Sequence, residues 1–293
     1  MRVHSLHFYP VKGMRAVDVG RAQVEARGLA GDRRWVVVDG GGRFITQRSH
    51  PRLAQIEAAV TPTGLRLSAP GAGAIAVEQP SGAQRTEITV WKHQIDAALA
   101  DAEAGAWLSR FLGQDVRFAY MDDRAVRVQS NVWVDAVPLS FADAYPVLIA
   151  TTASLAAVNA EIASAGGAAV PMRRFRPNVV IDCDKAWDED FWRALRIGGI
   201  EFELVKPCDR CVVTTRDQTS GESMGREPIA SLARLRRSAD PRINGVLFGW
   251  NAVPRAPGTI TVGDGVEAVV RRAEGFPLRA GLQHGFEVEK FLP

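Results

Sequence analysis

Cysteine is scarce in this chain: Cys183, Cys208 and Cys211 are the only three among 293 residues. So few, and an odd number, exclude a disulfide framework and suit a reducing compartment, so a cytoplasmic location is expected. Lysine is scarce too. Lys12, Lys92, Lys185, Lys206 and Lys290 are all there are among 36 basic residues, and arginine supplies the rest. Arginine favours bidentate contacts with carboxylate and phosphate, although a GC-rich coding bias accounts for the total equally well. No stretch of about 18 uncharged apolar residues occurs, so no membrane-spanning helix is expected. The opening MRVHSLHFYPVKG has neither an apolar signal core nor a small-residue cleavage site, and reads as a strand of the mature protein. A surplus of one charge is missing as well. The 36 basic and 33 acidic side chains leave a net +3, so neither nucleic acid nor a membrane surface is expected as a partner.

What is present is an ordinary globular composition, 46% hydrophobic and 24% charged, in a chain long enough for two domains. Short runs at 3–8, 34–38, 43–47, 55–60 and 65–67 alternate or carry β-branched residues and read as strands. Asp39-Gly40-Gly41-Gly42 is a hairpin signal. Residues 69–82 read as loop with a weak strand, and 101–112 as a helix ended by Gly113. The polar segment 118–141 has weak periodicity and marks the domain join. Strands are expected at 146–150, 178–181 and 198–205, with a helix capped by Thr151 or Thr152. A second helix is expected at 227–236, and a closing hairpin from 258–262 and 265–270. The fold class is mixed and β-rich (α+β), nearer a barrel or sandwich than a doubly wound sheet. No internal repeat is visible.

The segment KPCDRCVVTTRD, residues 206–217, carries the chemistry. Cys208 and Cys211 form a CxxC, which has three readings. A structural zinc site needs a second half-site, and the chain offers only Cys183 and five scattered histidines. A thiol–disulfide enzyme places its nucleophilic sulfur at a helix N-terminus, whereas the valines and threonines flanking this motif favour strand. The third reading needs one thiolate only, as ligand to a soft redox metal whose other ligands come from a sulfur-bearing organic cofactor. That reading also calls for a nest of cations to meet the cofactor's phosphate.

KPCDRCVVTTRDQTSG, taken with FRPNVVI (175–181), LFGWN (247–251) and GTITVGD (258–264), resembles the MOSC domain. YPVKGMRAVDV (9–19) and GLAGDRRWVVVD (28–39) resemble the β-barrel domain that precedes it in the YcbX and mitochondrial amidoxime-reducing-component branch. The resemblance covers about residues 1–270 and implies a smaller N-terminal β-barrel-like domain (1–120), a β-barrel MOSC domain (121–270) and a C-terminal extension (271–293).

The resemblance implies a molybdenum–molybdopterin cofactor, with Cys211 as the metal ligand and Cys208 not a ligand. It places Lys12, Gly13, Arg33, Arg176 and Asn178 at the phosphate and pterin, and Asp209 and Arg210 along the metal pocket. Asp209 is the candidate proton donor, a salt bridge to Arg210 being the plainer explanation. Thr152 and Ser154 fall in a loop-to-helix segment that the family also uses. Pro177 is expected to hold Arg176 extended. Phe248 and Trp250 read as core. The implied activity is reduction of small N-hydroxylated compounds, namely hydroxylamines, N-hydroxylated bases or amidoximes, a detoxification role. Residues 271–293 contain no cysteine, so no iron–sulfur cluster is expected in this chain, and electrons come from a separate flavoprotein or ferredoxin-type donor. The alternative function is a non-catalytic carrier of molybdenum cofactor or sulfur.

Overall fold

In the computed structural model, residues 1–279 are described. Strands dominate, with three α-helices among the described residues, Ala102–Leu112, Thr152–Ser164 and Ile229–Leu235. The largest element is an eight-stranded sheet curled into a half-barrel. Its order runs Val17–Val19, Arg2–Phe8, Val179–Asp182, Val147–Thr151, Val246–Pro254, Ile200–Arg210, Trp192–Ile197, Val266–Arg271. Val147–Thr151 and Val179–Asp182 run parallel. A parallel pair needs a crossover, and the helix Thr152–Ser164 lies between them in the chain.

Both faces of this sheet are covered. Every residue of Val246–Pro254 is buried, the pattern of a central strand packed from both sides. Trp250 and Ala252 join Val147, Ile149 and Phe202 in one core. Phe248 joins Val158, Ile162 and Leu232 in another, against the helices. Phe248 also stacks on Phe175 at 3.8 Å between ring centroids. The core therefore fixes the residue next to Arg176.

A second body of structure is built from a four-stranded sheet and a three-stranded one. The first runs Trp35–Asp39, Val116–Tyr120, His93–Leu99, Arg85–Val90, and the second Glu57–Thr61, Gly64–Ala69, Gly73–Glu78. The helix Ala102–Leu112 places Trp107, Leu108 and Phe111 against Leu65, Leu67 and Phe118. Gly113 ends it with φ 72°, as its lack of Cβ allows.

Several expectations change. The 258–262 and 265–270 segments do form strands, but not a hairpin. Gly258–Thr261 pairs with Arg21–Glu25, and Val266–Arg271 with Trp192–Ile197. The 43–47 run makes only isolated bridges, Val38 to Phe44 and Arg43 to Thr89, although the glycine turn before it closes through Gly42 N donating to Asp39 O. The 118–141 segment contains a paired hairpin, Val128–Asn131 with Val134–Pro138. The first strand pairs with Val179–Asp182, so main-chain hydrogen bonding crosses between the expected 1–120 and 121–270 divisions. Of the expected extension 271–293, residues 280–293 lie outside the described residues.

Candidate active site

The strand Ile200–Arg210 runs through Cys208 and stops just before Cys211. Cys211 then opens a 3-10 turn, Val212–Thr215, its carbonyl accepting from Thr214 N at 3.1 Å and Thr214 Oγ1 at 2.9 Å. This change of backbone separates the two sulfurs' surroundings. Cys211 is exposed, with Arg48 Nη1 at 3.8 Å from Sγ. Cys208 is held beneath Arg210, whose Nη1 lies 2.8 Å from its Sγ. Burial pushes the Cys208 thiol pKa up, against the pull of Arg210. All three cysteines are free thiols. Among the described residues no group of three or more His, Cys, Asp or Glu side chains could hold a metal ion. A closed zinc site made of protein ligands alone therefore has no counterpart there.

Cys211 lines a cavity of about 550 Å³. Eight cationic side chains line it as well (Lys12, Arg33, Arg48, Lys92, Arg127, Arg176, Lys206 and Arg210) against two carboxylates, Asp143 and Asp209. In a chain of net charge +3, this is a concentrated positive potential suited to an anion.

Two of these arginines share one aromatic ring. Arg33 and Arg176 each place a guanidinium 4.2 Å from the Tyr9 ring centroid. Tyr9 is 1% exposed, and its hydroxyl donates to Pro177 O at 3.2 Å. Both arginines have left-handed backbones, φ 48° and φ 54°, a conformation that costs a residue with a Cβ roughly 1–2 kcal/mol. Each has a local tether. Arg33 N donates to Tyr9 O at 2.6 Å, and Arg176 N to Arg173 O at 3.2 Å. The expectation of an extended Arg176 fails for that reason: the 3-10 turn Met172–Phe175 closes onto its N–H and overrides the bias from Pro177. Burial lowers the Arg176 pKa to about 10, which leaves it charged at neutral pH.

Asn178 supports this pair. Its Oδ1 accepts from Arg33 Nη1 and from Leu148 N, both at 3.1 Å, and its Nδ2 donates to His7 O at 3.2 Å. The amide thus ties Arg33 to two strands of the large sheet. Lys12 is 5% exposed, and its Nζ donates to Phe141 O at 2.8 Å and Asp143 Oδ1 at 2.5 Å. Burial lowers its pKa to about 8, opposed by Asp143. Burial would raise the Asp143 carboxyl, but Lys12, Arg48 and Arg33 hold it below the ordinary range. Gly13 follows with φ 85°, its carbonyl accepting from Gln47 Nε2 at 2.7 Å. A Cβ there would meet Leu53 at 3.2 Å on a left-handed backbone, so glycine is the residue this turn favours.

The donor set fits a phosphorylated, sulfur-bearing metal cofactor. It combines a thiol open to the cavity, a surplus of cations and two buried guanidinium nitrogens, Arg127 Nε and Arg210 Nε, with no hydrogen-bond partner. Residues 1–115 match the MOSC N-terminal beta barrel domain and residues 137–267 the MOSC domain. The mitochondrial amidoxime-reducing component 1 of Homo sapiens is 31% identical over 280 residues, covering 90% of this chain and 82% of that protein. The chain belongs to the amidoxime-reducing-component family of MOSC proteins. The Xenopus laevis component 1 is 29% identical over 287 residues, with 92% and 82% covered. The YUAD protein of Bacillus subtilis superposes with a TM-score of 0.37 at 8% identity over 90% of this chain and 93% of that one, too distant to bear on the site.

The amidoxime-reducing-component blocks bring Lys12, Gly13, Arg33, Arg176, Asn178, Asp209, Arg210 and Cys211 to one cavity. Asp209 pairs with Lys206, Nζ to Oδ1 2.5 Å, and not with Arg210 as the sequence suggested, because Arg210 turns inward to Cys208 and Phe175 O. Thr152 and Ser154 do not reach this cavity. Thr152 Oγ1 donates to Asp182 Oδ1 at 3.1 Å, and Ser154 Oγ, fully buried, accepts from Trp187 N at 2.8 Å. Their hydroxyls secure the helix start, where Thr151 Oγ1 caps Ser154 N. Sequence reading missed Arg48, Arg127 and Asp143. Arg48 follows the short 43–47 run, and Arg127 and Asp143 lie in or beside the 118–141 join. Polar Thr46-Gln47-Arg48 closing a half-apolar run was the signal available.

Proposed function

We propose that this protein is a molybdenum-cofactor-dependent reductase of N-hydroxylated compounds (hydroxylamines, N-hydroxylated bases, amidoximes), working in the cytoplasm with electrons from a separate flavoprotein or ferredoxin-type donor. The observation that supports this reading best is the exposed Cys211 Sγ on the wall of a cavity with eight cations and two carboxylates.

When bound, the cofactor supplies the two-electron reduction of the N–O bond. Cys211 would ligate the metal through Sγ. Lys12, Arg33, Arg127 and Arg176 would meet the anionic cofactor, and Lys12, with its pKa at about 8, keeps its proton and charge at pH 7. Asn178 and Tyr9 orient the arginine pair. Lys206 Nζ donates to Asp209 Oδ1 at 2.5 Å on the same cavity wall, a pair that would supply a proton to a substrate bound there. Trp91, 48% exposed, stacks on Arg48 at 4.8 Å and forms part of the lining.

The deciding experiment compares wild type with Cys211→Ala, both made in a host that synthesises molybdenum cofactor. Metal content is measured, then turnover of hydroxylamine and benzamidoxime with an artificial electron donor. Near-stoichiometric molybdenum with turnover in the wild type, both lost in the variant, supports the reading. Zinc, or no metal with a titratable Cys208–Cys211 disulfide, defeats it. Molybdenum without turnover of either substrate returns the protein to the carrier class.

A further inference from the structure

A second cavity of about 320 Å³ shares Arg176 with the first and is lined by Tyr9 and Gln218 as well. The proposed reductase chemistry does not use it. Ser5, His7 and Asp18 line it together. His7 Nδ1 lies 2.6 Å from Asp18 Oδ1, and His7 Nε2 lies 2.9 Å from Ser5 Oγ. The fold holds this order of atoms in place. His7 and Asp18 are cross-strand partners in the antiparallel pairing of Arg2–Phe8 with Val17–Val19. Ser5 sits two residues before His7, on the same face of the strand. The pairing of that strand with Val179–Asp182 shifts register between Val3 and Ser5. Irregularities of this kind re-aim side chains and are over-represented beside active sites.

The Asp18 carboxylate accepts only, so it fixes the proton of a neutral His7 on Nδ1. Nε2 is then left as an acceptor facing the Ser5 hydroxyl. That is the division of roles in a serine nucleophile, its base and the base's orienting acid. Arg173, exposed and with no hydrogen-bond or ion-pair partner for its guanidinium among the described residues, lines the same cavity, as do the apolar Leu155, Pro171 and Met172.

We propose that this cavity is a second, hydrolytic site for small carboxylic esters with apolar acyl groups. Ser5 Oγ attacks the ester carbonyl carbon while its proton passes to His7 Nε2, and Arg173 stabilises the charge on the carbonyl oxygen. The ester C–O bond breaks, and the leaving alkoxide takes the proton back from His7. Water, deprotonated by His7, then attacks the acyl–Ser5 ester, giving the free acid and restoring Ser5. The sum is ester plus water to acid plus alcohol, with no change of oxidation state. It needs neither metal nor Cys211, so it stands or falls apart from the reductase reading.

The test treats the full-length protein with a fluorophosphonate serine probe, maps the modified peptide by mass spectrometry, and follows p-nitrophenyl butyrate hydrolysis. Label at Ser5 is expected in the wild type. Label and hydrolysis should both vanish in Ser5→Ala, which removes one half-buried hydroxyl and no backbone pairing. Asp18→Asn, at an exposed carboxylate, should retain the fold and lower hydrolysis on the order of a hundredfold. Absence of label at Ser5 overturns the proposal. So does hydrolysis that survives in Ser5→Ala, which would be bare imidazole catalysis, or hydrolysis indifferent to Asp18→Asn.

Discussion

Arg236 and Arg127 are both nearly buried, at 4% and 3% exposure, yet their surroundings differ in kind. Arg236 meets a full charge. Its Nη1 and Nη2 reach the two oxygens of Asp190 at 2.6 and 2.8 Å, and Trp250 Nε1 donates to the same carboxylate at 3.0 Å. Arg127 meets backbone carbonyls only, those of Ser140, Ala142 and Asp143. Burial lowers its pKa to about 10. Carbonyl dipoles orient a guanidinium without neutralising it. The first arrangement is electrically complete, and the second leaves positive charge for something else to meet. A matched buried pair belongs to the scaffold, and an unmatched cation that also lines a cavity is a candidate to meet an anionic ligand.

The comparison breaks hardest at Asp190. Replacing it with Ala strands Arg236 without its counter-ion in the core, so the expected cost is about 3–5 kcal/mol of stability, read from urea unfolding. Arg127→Met should cost far less in the cofactor-free protein, since it removes a charge that no carboxylate satisfies directly. Equal losses for the two variants would show that carbonyls alone complete Arg127.

Glu189 sharpens the same point from the acidic side. It is 1% exposed, Oε2 accepts from Thr151 Oγ1 at 3.2 Å, and Oε1 has no partner. Burial raises its pKa from 4.5 to about 7. A folded-state pKa above the unfolded one means that the native state holds the extra proton. The contribution is complete below pH 4.5, declines as pH rises, and is gone above about 7. Glu189→Gln should match wild type near pH 4.5 and exceed it at pH 8 by about 3 kcal/mol. Thermal melts across that range check it, and a constant offset between the two proteins would place the titration elsewhere.

Lys12 has the opposite sign. Its folded pKa is depressed to about 8, so the cofactor-free wild type should gain stability as pH rises from 8 towards the ordinary lysine value. Lys12→Met should lose that slope, worth about 3 kcal/mol over the interval, since burial and not the Asp143 pairing sets it. The same variant should bind the anionic cofactor less well. A slope that persists in the variant would assign it to another group.

How much of this was legible in the sequence follows from how local each feature is. Cys211, Lys12, Arg33 and Arg176 stood in quoted blocks and share a cavity. The helix ending at Gly113 and the strand entering Cys208 needed only local pattern. The partners of Gly258–Thr261 and Val266–Arg271 could not be read, because two strands adjacent in sequence pair instead with residues far away. Thr152 and Ser154 misled for a related reason. A hydroxyl near a helix start serves the helix itself before it serves a ligand. Arg48 and Arg127 were hidden by weak periodicity, since a side chain aimed into a cavity belongs neither to a core stripe nor to a solvated face.

Trp91 gives the finest contrast, between what a residue does for the fold and what it does at the cavity. It sits in the turn joining Arg85–Val90 to His93–Leu99 with φ 55°, its ring 5.1 Å from Phe44 and under Arg48. Trp91→Gly should relieve about 1 kcal/mol of left-handed strain and forfeit a comparable cation–π and packing contribution. The net change in stability should stay within about 0.5 kcal/mol. If the reductase reading holds, KM for a planar aromatic substrate should rise while hydroxylamine, too small to reach the ring, is reduced as before. A parallel loss with both substrates would mean that Trp91 acts only through Arg48, and that the ring positions a cation without touching the substrate.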